Sequence, residues 1–372
     1  MLFKNAQVYD AEFKLRDWDL RVEDGKITAL DTWGQIRPHE GEEVLDLKGK
    51  ILTPGAIDNH IHGAMGVDTM DANEEALQTI SRYLAERGVT SFLPTTMTMA
   101  VEHLEPVFKL FPDLAGAEML GFHMEGPFIN ASKKGAQNEK YIRQATVEEM
   151  RRYDAQDRIK VITLAPEEPG TMDFIRELGD QYILSIGHTT ADYDTSVQAI
   201  RAGVRTITHC FNAMPPLHHR NPGVIGAAVK EGIYGEMITD GQHIHPAVVY
   251  ANYKMFGADR MLIVSDSLRA AGLEDGEYDL GGQMMDVVDG IARTKDGNLG
   301  GGTSNVWRNM RNCIEFGIPA SDALRMATLT PASLIGVQDR KGSLAIGKDA
   351  DIVVADSDLN VESVYLKGKR FE

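Results

Sequence analysis

The stretch from Pro54 to Gly63 reads PGAIDNHIHG and places His60 and His62 one residue apart, just after a short apolar run. In an extended strand, residues i and i+2 point to the same face, so both rings would aim at one spot. Such a spot is a metal site, unless the pair is merely packed or solvated. Further segments end in residues of the same kind. Glu125 closes the apolar part of FHMEGPF, His188 that of SIGHTT, His209 that of THCFNAM and Asp266 that of IVSDS, while TDGQH adds Asp240 and His243. Imidazole and carboxylate together suit Zn²⁺, Fe²⁺ and similar borderline cations, and no cysteine cluster competes for them. The ligand number matches one or two divalent ions per chain.

Asp266 admits a second role. A divalent cation lowers the pKa of its water from ~15.7 toward ~7. A carboxylate beside it can take that proton and hand it to a leaving amine. The plainer reading of Asp266 is a metal ligand or a helix cap. His123 precedes Glu125 by two residues and faces the same way, either as packing or as support behind the ligands.

These residues need a frame that gathers strand ends. After residue 50, short apolar strands alternate with amphipathic helices. The strands are GAIDNHIH, VTSFLPTT, MLGFHMEGP, KVITLAPE, YILSIGHTT, VRTITHCFNAM, YGEMITDGQHIH and MLIVSDS. ALQTISRYLAERG, ATVEEMRRYDAQ, TMDFIRELG, DTSVQAIRAG and PAVVYANYKMFG read as helices between them. Eight such units predict an α/β fold of the (β/α)₈ TIM-barrel type, whose active site lies at the C-terminal strand ends. That is where each candidate ligand falls. An open doubly wound sheet would need a Gly-rich phosphate turn after its first strand, and none follows.

Residues 1–52 and 343–372 read instead as short strands and turns. Neither piece is long enough for a core of its own. The reading is therefore one small β domain composed of both chain ends, with the catalytic barrel over 53–342.

The chain has 372 residues and a net charge of −17. Such an acidic protein is a poor general partner for nucleic acid or an anionic membrane. It has two cysteines, far apart, which fits a reducing compartment. The N-terminus lacks the apolar core of a signal peptide and no apolar run is long enough to span a bilayer, so a cytoplasmic location is expected. Against this acidic background, FNAMPPLHHRNPG carries His218, His219 and Arg220 together. Arginine matches phosphate geometry with paired hydrogen bonds, though the cluster also reads as a solvated turn. Arg220 follows His209 by eleven positions, a reach of ~35 Å when extended, so Arg220 can leave its own site. Lys133 and Lys134 in ASKKGAQ read as surface residues.

HMEGPFINASKKGAQ, SIGHTTADY, THCFNAMPPLHHRNPG, DGQHIHP and VSDSLRAAG occur in this order, with GSLAIGKDADIVVAD near the C-terminus. Together they resemble the N-acetylglucosamine-6-phosphate deacetylase family of the amidohydrolase superfamily, over almost the whole chain. EGPF with FNAM and HHR is the specific part. The His-x-His pair belongs to the wider superfamily.

The resemblance implies metal-dependent removal of acetate from the 2-acetamido group of a phosphosugar, by a homodimer with a shared active site. Position by position, Glu125, His188 and His209 match the central metal ligands. His60 and His62 match the pair that holds a second ion, with Asp266 beside it as catalytic acid/base. His243 matches the group that polarises the substrate carbonyl. Asn212 and Ala213 match the phosphate-binding region, completed by Arg220 of the partner subunit. Gln137 and His219 lie in the same motifs and are taken as substrate-contacting. Two departures leave room for a shifted sugar preference: Asn221 stands where an acid is usual, and LGGGTS where the family has Ala-Gly-Ser. The rival readings are an amidohydrolase for another N-acyl sugar or an N-acyl amino acid, and a non-catalytic sugar-binding homologue.

Overall fold

A computed structural model describes residues 1–154 and 156–372. Its centre is a ring of eight parallel strands: β1 (Ala56–Ile61), β2 (Val89–Thr96), β3 (Phe122–Glu125), β4 (Ile159–Leu164), β5 (Ile183–Ile186), β6 (Val204–Ile207), β7 (Gly235–Ile238) and β8 (Met261–Val264). Pairing runs in chain order from β1 to β6, and β7 pairs with β8. Two seams close the ring. Between β6 and β7, Ile207 N donates to Tyr234 O at 3.2 Å and Cys210 N to Glu236 O at 2.8 Å. Between β8 and β1, Asp266 N donates to His60 O at 2.8 Å and His62 N to Ser267 O at 2.9 Å. The second seam joins candidate ligands directly, so closing the barrel also sets their spacing. Because both faces of a parallel barrel strand are covered, β2 (VTSFLPTT) is buried at every position.

The helices between the strands follow local rules. Helix Glu74–Ala85 starts where the Asn73 side chain accepts from Ala76 N, and it buries Ala76, Leu77, Ile80 and Leu84 on one face. The turn after it needs Gly88 at φ +82°, where a Cβ would stand 2.9 Å from the Trp307 ring. The predicted helix ATVEEMRRYDAQ is shorter than its sequence pattern: it runs over Val147–Tyr153, and Ala155 lies outside the described residues.

One element was not foreseen. After β8 the chain makes a three-stranded antiparallel flap from Gly276–Leu280, Gln283–Val288 and Ile291–Thr294 before helix Val306–Glu315. Its first turn is Gly281-Gly282, both with φ > 0, as a tight hairpin requires. The two signals, GG and DG between alternating runs, are present in the sequence.

The strands of both chain ends form one sheet. Its order is Lys369–Arg370, Val361–Leu366, Ile352–Ala355, Ile51–Pro54, Leu2–Tyr9, Leu15–Glu23, Lys26–Thr32, with Val44–Asp46 on Leu2–Tyr9. Ile352–Ala355 lies antiparallel to Ile51–Pro54, which leads straight into β1. Phe3, Val8, Leu20, Ile27, Leu52, Ile352 and Tyr365 make a core that neither end could assemble alone. No helix among the described residues is long and apolar enough to cross a membrane.

Ion pairs fasten this sheet to the barrel. Glu118, just before β3, receives Arg340 at 2.5 Å, Lys341 at 3.0 Å and Lys367 at 3.4 Å. Arg340 also reaches Asp349 at 2.7 Å, and the buried Lys341 is bonded to Asp351. Burial opposes ionisation of Glu118, but the hydrogen bond from Arg340 and the charge of Lys341 outweigh it and hold the carboxyl at about 2. A depressed carboxyl stabilises the fold fully above its ordinary value of 4.5 and loses that contribution as pH falls through about 2. Glu118→Gln should therefore cost ~1–3 kcal/mol near pH 7, as for a partly buried pair broken on one side. Thermal unfolding followed by circular dichroism should show a lower Tm for the variant at pH 7 and a smaller gap at pH 3. An equal gap at both pH values would contradict this assignment.

Candidate active site

Six side chains meet at the C-terminal rim of the barrel. Glu125 is their hub. Its Oε1 lies 3.1 Å from His188 Nε2, 3.1 Å from His209 Nε2 and 3.5 Å from His60 Nε2. Its Oε2 lies 3.2 Å from His62 Nε2. Asp266 Oδ1 stands 3.3 Å from His60 Nε2 and 3.2 Å from His62 Nε2. All six are buried.

Three of the four imidazoles are aimed from behind. A carbonyl or carboxylate oxygen can only accept, so an Nδ1 facing one from behind carries a proton, and Nε2 is the nitrogen left to bind a cation. His60 Nδ1 donates to Glu236 Oε2 at 3.0 Å, His62 Nδ1 to Thr95 O at 3.2 Å and His188 Nδ1 to Lys133 O at 2.8 Å. In all three, Nε2 is the nitrogen turned toward Glu125. This is the support that metal-ligating histidines receive. His60 Nε2 is buried with no hydrogen-bond partner. Such an atom inside a ring of carboxylate and imidazole donors fits a cation, and two overlapping triads are compact enough for one: Glu125 with His188 and His209, and Glu125 with His60 and His62.

Electrostatics agree. Burial opposes charge on His60, His62, Glu125 and Asp266, yet attraction prevails. Hydrogen bonds to Asp266 and Glu125 push His62 up to about 9, and the charges of Asp266, Glu125 and Glu236 raise His60 well above its ordinary value. The charge of His60 and the hydrogen bond of His62 hold Asp266 at about 2, and the charge of His60 with hydrogen bonds from His188 and His209 holds Glu125 well below the usual carboxylate range. Without a cation, protons on His60 and His62 balance these carboxylates; a bound cation would displace the Nε2 protons and take the lone pairs. His123 packs behind the cluster, its ring centre 4.5 Å from that of His60. Its Nδ1 meets Asn59 O at 3.0 Å and its Nε2 meets Thr163 Oγ1 at 2.8 Å, so both nitrogens are engaged behind the ligands.

Three of these candidate ligands sit in strained backbone. His188, His209 and Asp266 have φ of 47°, 27° and 49°, a region that ordinary side chains avoid. The Gly-rich run LGGGTS explains the seat of Asp266. Gly302 N donates to Asp266 O at 2.7 Å. A Cβ on Gly301 would stand 2.8 Å from that oxygen, and one on Gly302 2.5 Å from Ser265 O.

A cavity of about 410 Å³ opens on this cluster. His62, Glu125, His188, His209, Asp266, His243, Gln137, Asn212 and Ala213 line it, together with Lys133 and Leu280. His243 Nδ1 is tied to Asp240 Oδ2 at 2.7 Å. Burial would discourage charge on His243, but that hydrogen bond and the Asp240 charge raise its pKa. His219 and Arg220 do not line the cavity. They lie exposed on the loop after β6, with Arg220 Nη1 2.7 Å from His219 Nε2. Glu236 and Gln137's supporting role escaped the sequence reading. Glu236 lies mid-strand in β7, and only the neighbouring strand explains it; Gln137 reaches back to Glu125 Oε2 at 2.7 Å.

A model of the amidohydrolase family matches residues 51–371. The chain belongs to the amidohydrolase family. Among this amidohydrolase's relatives is the N-acetylglucosamine-6-phosphate deacetylase of Vibrio furnissii, 38% identical over 93% of this chain and 88% of that one. The N-acetylgalactosamine-6-phosphate deacetylase of Escherichia coli O157:H7 is 34% identical over 95% of each. The crystal structure of N-acetylglucosamine-6-phosphate deacetylase from Pasteurella multocida superposes with a TM-score of 0.93 at 33% identity, covering 100% of this chain and 99% of that one. Within its family the amidohydrolase groups with the N-acetylglucosamine-6-phosphate deacetylases.

Because Glu236 fixes the tautomer of His60, Glu236→Gln should weaken cation binding on the His60–His62 side by roughly 10–100-fold. The Glu125–His188–His209 side should keep its affinity. Titration of metal-free protein with Zn²⁺ or Co²⁺ checks this, with an unchanged binding isotherm as the contrary result.

Proposed function

We propose that this amidohydrolase converts N-acetylglucosamine 6-phosphate and water into glucosamine 6-phosphate and acetate. The observation that carries the reading is that His243 lines the same cavity as Asp266 and the Glu125 cluster. The names of the relatives supply the substrate class. A cavity of about 410 Å³ also suits one hexose phosphate.

Glu125, His188 and His209 would hold one divalent cation, and His60, His62 and Asp266 would hold a second. Zinc or iron fits this nitrogen and oxygen set. When bound, the cation supplies Lewis-acid activation of water and of the acetamido carbonyl. Asp266 takes the proton of the attacking water and delivers it to the leaving nitrogen. His243, with Nδ1–H held by Asp240, turns Nε2–H to the carbonyl oxygen and stabilises charge there as the carbon becomes tetrahedral. Asn212 and Ala213 meet the phosphate from the loop after β6.

The phosphate also needs a cation of its own in so acidic a chain. Arg220 is exposed and lies outside its own cavity, on a loop stiffened by Pro215 and Pro216. In this reading the protein is a homodimer and Arg220 of the partner subunit, beside His219, clamps the phosphate.

Acetate release should be fast with N-acetylglucosamine 6-phosphate and much slower with the unphosphorylated sugar. The 4-epimer, N-acetylgalactosamine 6-phosphate, is the second substrate to test, since one relative is named for it. No release from either phosphosugar would refute the proposal. Asp266→Asn should lose on the order of 10²-fold or more in turnover with KM little changed. Arg220→Ala should mainly raise KM for the phosphosugar. Mixing these two variants and allowing subunits to exchange should restore activity, because each mixed dimer regains one site with both groups intact. Proven exchange without recovery would place Arg220 in its own chain's site.

A further inference from the structure

The segment 131–137 holds two of the candidate ligands from outside. The Lys133 carbonyl accepts from His188 Nδ1 at 2.8 Å. The Gln137 side chain donates to Glu125 Oε2 at 2.7 Å and accepts from Thr98 N at 2.7 Å. This segment has no strand to lean on. Its only regular structure is a single 3₁₀ turn at Ala131–Lys133. Something else must keep it seated over the rim.

The flap does so. Gln283 opens the second flap strand, immediately after the Gly281-Gly282 turn. Its Nε2 donates to Ala136 O at 2.6 Å. That carbonyl belongs to the peptide joining Ala136 to Gln137, so the hydrogen bond acts one residue from the side chain that steadies Glu125. Apolar packing reinforces it. Leu280, Met285, Val287 and Ala292 of the flap share a buried cluster with Met97, Leu268 and Ala270, and Ala136 packs against that cluster. A Cβ on Gly300 would overlap the Met285 side chain and lie 3.8 Å from Ala136 Cβ, so flap, Gly-rich run and segment 131–137 meet at one point.

We propose that Gln283 is a positioning residue of the metal site, latching the segment that orients Glu125 and His188. Its amide touches neither the cavity's reacting groups nor the ligands. It acts through Ala136 and Gln137. The consequence is a cation held more tightly, and released more slowly, than the ligands alone would manage. Supporting residues behind metal ligands commonly change affinity by 10–100-fold. The inference rests on the cation site proposed above.

The test follows cation release rather than turnover. Protein as purified, and Gln283→Ala and Gln283→Glu variants, are loaded with Zn²⁺ and challenged with a chromogenic chelator. Gln283→Glu keeps the size of the side chain but cannot donate to a carbonyl. Both variants should release Zn²⁺ roughly tenfold faster than the parent. The Tm of the metal-free proteins should not differ. Equal release rates would overturn the latch while leaving the metal site intact. Faster release with a matching drop in metal-free Tm would overturn it too, because Gln283 would then support only the fold. A parent that binds no Zn²⁺ would overturn both the latch and the metal reading beneath it.

Discussion

One buried carboxylate organises this protein. Glu125 has both oxygens inside the barrel rim and within 3.5 Å of four imidazoles. Removing such a charge from water costs several kcal/mol unless partners surround it. The partners come from the C-terminal ends of β1, β5 and β6, so no local stretch of chain could supply them. The closed ring of eight strands is the device that does. The seam between β8 and β1 bonds the backbones of His60 and Asp266 directly, which is why barrel closure and ligand spacing are one event.

Keeping the hub in place has structural consequences elsewhere. Three of its companions, His188, His209 and Asp266, occupy positive-φ conformations, each costing ~1–3 kcal/mol. Rigid surroundings maintain them. Glycines at 301 and 302 press on the backbone of Asp266, and Glu236 and Thr95 steer the rings of His60 and His62. On the opposite end, the sheet shared by both chain ends anchors the entry to β1, and the Glu118–Arg340–Lys341 ion pairs tie it to the barrel.

Much of this was legible in the sequence because it follows short periods. His60 and His62 at i and i+2 declare a shared face, and all eight barrel strands announce themselves as apolar runs ending in polar residues. The family resemblance added roles that spacing alone left open, such as that of His243. What was hidden depends on contacts between distant strands. Glu236 reads as an ordinary strand residue until His60 is placed beside it. The flap was signalled by GG and DG turns, but its strands mix polar and apolar residues and look like a loop. The contact of the LGGGTS glycines with the backbone of Asp266 was hidden for the same reason, since it joins segments far apart in the chain.

The central claim is that Glu125, His188 and His209 form a divalent-cation centre around which the rest is arranged. Crystals of the protein as purified, measured at wavelengths above and below the zinc and iron absorption edges, test it most directly. The account predicts an anomalous peak among these three residues, about 2.0–2.3 Å from a Glu125 oxygen and from Nε2 of both histidines. An active enzyme whose crystals show no peak there, or one whose only cation lies elsewhere, would contradict it.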